Sequence, residues 1–173
     1  MEAAARSQRI LLPVRLSTIA ASFAVALLLD FLPWRDIALV PDFVALVLAF
    51  WCVRQPRLVG LGAAWTLGLL IDAGNGVLLG QHALAYSLLA FGGLTLSRRI
   101  LWFPVAQQAL HVAALLVAAE LVVLLVRLVA GAEVPGWSIL VGPAIGAALW
   151  PVATFVLLAP QRRAAEPDPA RPL

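Results

Sequence analysis

The chain has 173 residues, 63% hydrophobic and only 12% charged, with a mean hydropathy of +0.99. A soluble domain carries about 25% charged residues, so this composition excludes one and points to an integral membrane protein. The net charge of +3 comes from arginines scattered between apolar runs, which argues against a nucleic-acid partner, and the lone Cys52 excludes an intrachain disulfide.

A membrane-crossing helix needs about 20 apolar residues, with a range of roughly 17–25. Residues 1–15 form a tail carrying Arg6, Arg9 and Arg15. The first span, 16–32, resembles a signal peptide in its charged start. It is longer than a typical signal core and lacks an A-x-A site, so it reads as an uncleaved helix. The second span, 37–53, has Pro41 near its start, and the third covers 57–73. Both are short for a crossing. The fourth, 76–97, stops before Arg98 and Arg99; the fifth, 104–129, opens on Pro104, which suits a first helical turn. The sixth, 137–159, is followed by a Pro-rich tail, 161–173, that reads as disordered.

With both termini in the cytoplasm, the inner side holds ten arginines and the outer side only Arg35 and Arg127. That bias predicts a multi-pass protein, N-in and C-in, and an odd number of spans would spoil it. Trp34 and Trp137 are expected at the outer interface and Trp51 and Trp102 at the inner one. Trp65 and Trp150 are expected to pack against other helices.

The third and fourth spans carry the densest pattern. Gly60, Ala64 and Gly68 are spaced by four, and Asp72 is the next rung. This spacing keeps them on one helical face, and small side chains let another backbone approach in lipid. The face reads as a ridge for a partner or for the protein's own packing. Ala73-Gly74-Asn75-Gly76 is expected to break the helix into a tight hairpin before Gly80, Gln81, His82 and Tyr86.

Ionisable groups inside spans are costly and are functional candidates. Asp30, Asp42 and Asp72 share one outer depth, where each either marks a solvated helix end or is buried and paired. Asp42 suits a helix start. Glu120, mid-span in the fifth segment, reads as a buried polar tie, about 10 Å along the axis from Arg127. His111 falls on the opposite face, and His82 and His111 lie toward opposite ends of their spans, so no metal site is expected. In the sixth span, Gly142 and Gly146 form a G-x-x-x-G leading to Trp150, and Pro151 is expected to bend or break the helix there. No phosphate loop, zinc-protease motif, Cys-x-x-Cys or Gly-x-Ser-x-Gly occurs, so no catalytic residue and no cofactor is assigned.

Taken in order, Pro41-Asp42, Trp51, Pro56-Arg57, Gly62, Gly68, Asp72, Gly80 with Ala83-Leu84-Ala85, Gln107-Gln108-Ala109-Leu110, Glu120 and Leu149-Trp150-Pro151 resemble the MreD family of Gram-negative rod shape-determining proteins. The resemblance covers residues 40–163. It implies an all-α, six-helix inner-membrane bundle similar to the substrate-binding subunits of energy-coupling-factor vitamin transporters. It also implies a non-catalytic scaffold of the cell-elongation machinery that lays down lateral peptidoglycan. The implied partner is MreC, with MreB, RodA and a class B penicillin-binding protein in the wider complex and membrane lipids around it. The alternative is a carrier or binding subunit for a small molecule or lipid-linked intermediate, with a pocket bounded by Trp65, Trp150, His82 and Glu120.

Overall fold

The structure is a computed structural model that describes residues 14–33, 40–132 and 137–161. Among these, six α-helices account for nearly all the regular structure: α1 (Leu16–Asp30), α2 (Phe43–Arg54), α3 (Leu61–Asn75), α4 (Gln81–Leu101), α5 (Val105–Val129) and α6 (Val141–Leu158). Short 3-10 turns, Trp137–Leu140 and Ala159–Gln161, flank α6. Neighbours in sequence pack side by side, α1 on α2, α3 on α4, α4 on α5 and α5 on α6, while α2 also packs against α4 and α6.

α2 is the central helix. Nine of its 12 residues are buried, from Val44 to Val53. At ~1.5 Å per residue it is about 18 Å long, against a hydrocarbon core of about 30 Å. The expected 37–53 span is thus only partly helical: Val40, Pro41 and Asp42 are not helical, and the helix begins at Phe43. Non-helical backbone at membrane depth is tolerated where protein or a water-filled cavity supplies hydrogen bonds. Here two carboxylates do so, as described below.

Among the described residues two helices are, by length and composition, long and apolar enough to cross a membrane: Val105–Val129, of hydropathy 2.6, and Ser138–Gln161, of hydropathy 1.9. Only 22% of the 18-residue apolar stretch of each is buried within the molecule. Their outward faces carry Leu110, Leu121, Leu125, Val129, Val152 and Val156, all more than half or about half exposed. An apolar helix so little covered by its own protein fits a lipid surrounding.

The helix ends differ from expectation in instructive ways. α3 runs on through Ala73, Gly74 and Asn75 and stops at Gly76, whose φ of 60° is left-handed. Gly74 stays helical and lies against the ring of Phe31. The break therefore starts at Gly76, the usual left-handed helix stop, and runs to Gly80, so the expected fourth span becomes helical only from Gln81. α4 continues through Arg98 and Arg99 to Leu101. Cations are favoured in a last helical turn, so the arginines extend the helix rather than end it. α6 is continuous through Pro151, so no break occurs beside Trp150.

The tryptophans divide differently as well. Trp51 is fully buried, its Nε1–H donating to Ser22 Oγ at 2.8 Å, rather than sitting at the inner interface. Trp65 is 45% exposed, so its expected role in helix packing is not met. Trp150 is fully buried, its ring 5.9 Å from that of Phe50, and Trp102 is 91% exposed. Trp34 and the side chain of Trp137 lie outside the described residues, as do the terminal arginines Arg6, Arg9, Arg162, Arg163 and Arg171 and the outer Arg35.

Candidate functional site

The small-residue ladder is occupied inside the chain. A methyl group at Gly68 would lie 2.3 Å from the backbone Cα of Ala83, so α3 and α4 touch backbone to backbone there. Ala64 and Asp72 are also fully buried. Gly60 caps the start of α3 and faces open space. Gly80 precedes α4 with a φ of 100°. Three of the five expected ridge positions are thus covered by the chain itself and present no face to a partner.

Asp72 closes the α3–α4 hairpin. Its Oδ2 accepts the Gly80 N–H at 2.7 Å and its Oδ1 accepts the His82 N–H at 3.1 Å. The first amides of a helix have no partner within the helix, and a carboxylate here satisfies them and meets the positive end of the dipole. His82 Nδ1 lies 2.6 Å from Asp72 Oδ1. A carboxylate contact of that length puts a proton on Nδ1, so the Gln81 Nε2 3.2 Å from the same nitrogen cannot donate to it. Gln81 instead accepts from Arg127 Nε through Oε1 at 3.4 Å.

The start of α2 is treated alike, by two carboxylates. Asp42 Oδ1 accepts the Ala45 N–H at 2.7 Å. Asp30, at the end of α1, accepts the Phe43 N–H at 3.0 Å and the Val44 N–H at 2.9 Å. All three amides of the first turn of α2 are therefore satisfied without water. The other oxygen of Asp42 accepts the Tyr86 hydroxyl at 2.6 Å, tying α2 to α4. Tyr86 is not among the expected site residues, and Asp30 is a candidate whose role the sequence leaves open between a solvated helix end and a paired group. The position of Asp30 at one depth with Asp42 was a hint, but its partners lie 13 and 14 residues away.

These groups surround a partly open cavity of about 880 Å³. It is lined by the C-terminal parts of α1, α3 and α5 and the N-terminal parts of α2, α4 and α6. Along α5 it reaches from Arg127 down to Leu116, about 16 Å at 1.5 Å per residue. The inner wall is apolar, with Ala45, Leu116 and Ala119. Asp30, Asp42, His82, Tyr86 and Glu120 line its middle. Of the residues expected to bound a carrier pocket, His82 and Glu120 are on its wall and Trp65 and Trp150 are not.

Asp42 and Glu120 were expected to be buried; both are half-buried and face this cavity. Glu120 is not the internal tie expected of it, since it has no hydrogen bond among the described residues. Gly142 and Gly146 also line the cavity, and a methyl at Gly146 would press on Leu116 at 2.9 Å. Trp150 lies apart from it, donating to Gln108 Oε1 at 3.3 Å. His111 rests against Phe103, ring centroids 5.0 Å apart, far along α5 from Glu120. Among the described residues no group of three His, Cys, Asp or Glu side chains is placed to hold a metal.

Comparison with known proteins gives a coherent result. No solved structure matches the chain, so the expected likeness to the energy-coupling-factor subunits is without support. The rod shape-determining protein MreD of Haemophilus influenzae is 32% identical over 152 residues, covering 84% of this chain and 91% of that protein. The family model for rod shape-determining protein MreD matches residues 9–159, which takes in all six helices and the cavity. The chain belongs to the MreD family of rod shape-determining proteins.

Proposed function

We propose that this protein is a non-catalytic scaffold of the cell-elongation machinery, acting in rod shape and lateral peptidoglycan synthesis by binding MreC in the inner membrane. Family membership supports the rod-shape role. The observation that carries the scaffold reading is the division of its surface. Asp30, Asp42 and Asp72 are turned inward onto helix starts, while the outward faces of α5 and α6 are long, apolar and uncovered. With connections this short, a partner meets such a molecule within the membrane plane.

The same architecture supports an N-in, C-in, multi-pass arrangement. Six helices alternate in direction, which puts Arg15, Arg54, Arg57, Arg98 and Arg99 at the end away from the cavity and Arg127 at the cavity end. The arginine-rich end is then cytoplasmic. MreB, RodA and the class B penicillin-binding protein would be reached through MreC.

The test is a photo-crosslinking scan in living rods, with the reactive residue placed in turn at Leu110, Leu121, Leu125, Val152 and Val156. At least one face should give a covalent adduct with MreC. Absence of any adduct, together with normal rods after deletion of the gene, would overturn the proposal.

A further inference from the structure

Glu120 and Arg127 lie seven residues apart on α5, and both line the cavity. Among the described residues the one ion pair in direct contact is Asp72 with His82; Glu120 lies within electrostatic reach of Arg127 and His82 but touches neither. Among the described residues Glu120 has no hydrogen bond, and the guanidinium of Arg127 is held at Nε by Gln81, which is 1% exposed. That buried amide aims the arginine and leaves its two Nη groups without a side-chain partner among the described residues. Arg127 is exposed at the cavity mouth and Glu120 is half-buried on its wall, so both charges remain open to a guest that brings complementary groups.

The surroundings decide the sign of the guest. A simple anion meets Asp30, Asp42 and Glu120, and the α2 amides that would otherwise attract it already donate to Asp30 and Asp42. A simple cation meets Arg127 at the rim. A molecule bearing both signs answers both. We propose that this cavity binds a zwitterion, its ammonium group on Glu120 and its phosphate or carboxylate on Arg127. The volume of about 880 Å³ lies within the ~300–1,000 Å³ of small-molecule sites and leaves room for a head group or a short peptide. The apolar inner wall at Ala45, Leu116 and Ala119 takes the uncharged part. An ammonium that carries N–H groups can also donate hydrogen bonds to the ionised Glu120, which offers acceptors only. The inference holds whether or not the protein binds MreC.

Native mass spectrometry of the full chain in detergent tests it, with four probes: phosphatidylethanolamine, phosphatidylglycerol of the same acyl chains, O-phosphoethanolamine and glycylglycine. An ammonium-bearing probe should bind at least about tenfold more tightly than phosphatidylglycerol, the scale of one charge-assisted hydrogen bond. E120Q and R127Q should each abolish that preference while keeping helical content and monodisperse elution. R127Q, at an exposed position, carries the test should E120Q fail to fold. Binding of a soluble zwitterion, displacing the lipid, identifies a free small molecule as the source. Binding of phosphatidylethanolamine alone identifies a lipid head group. Equal affinity for both lipids with no binding of the soluble probes, no binding of any probe, or a preference intact in both variants overturns the proposal.

Discussion

Asp72, Asp42 and Asp30 hold the cavity end of the molecule together as hydrogen-bond acceptors for helix starts. Asp72 is fully buried and accepts two backbone amides and the His82 ring. Asp72→Ala should therefore cost about 2–4 kcal/mol, since it orphans buried donors. Tyr86→Phe removes one hydroxyl bond to Asp42 and should cost about 1 kcal/mol. Reversible unfolding in mixed micelles checks both, and equal losses in the two variants would sink the assignment. Asp72 was legible in the sequence because the four-residue ladder led to it. Asp30 was not, because its role depends on where the chain re-enters at Phe43, which no local spacing encodes. Glu120 was legible as costly but not as unsatisfied, because burial of a carboxylate does not say what it faces.

Helix contacts explain which substitutions the hairpin tolerates. Gly68 meets the Ala83 backbone, which cannot move aside as a side chain would. Gly68→Leu should exceed the ~3 kcal/mol upper end of ordinary overpacking and prevent accumulation of folded protein. Gly76→Ala adds a side chain at a φ of 60° in open space and should cost only about 1 kcal/mol. Comparing folded yield of the two after detergent extraction separates close approach from backbone strain. At this scale, the hydrophobic runs match the six α-helices of the described residues in order. They failed at α2, because Val40 and Pro41 read as apolar in continuity with Phe43 although the helix starts only at Phe43. The shortness of α2 also explains Trp51: near the end of a full span it would reach the interface, but in a 12-residue central helix it is core.

For the molecule as a whole, alternating helix directions put both ends of the described chain away from the cavity. A fluorescent protein fused after the last residue should mature in the cytoplasm, and an alkaline phosphatase there should stay inactive; active phosphatase would reverse the orientation. Composition and arginine placement carried the membrane class and the expected sidedness, whereas the cavity was not legible, because it arises only where six helix ends converge. The trans caps carry a consequence for biosynthesis. Asp30 precedes the α2 amides it binds, and Asp72 precedes those of α4. Because chains emerge from the ribosome N-terminus first, each acceptor is already made when the amides that need it arrive. Insertion can then proceed stepwise, without a half-finished helix waiting in lipid for a residue still to be translated.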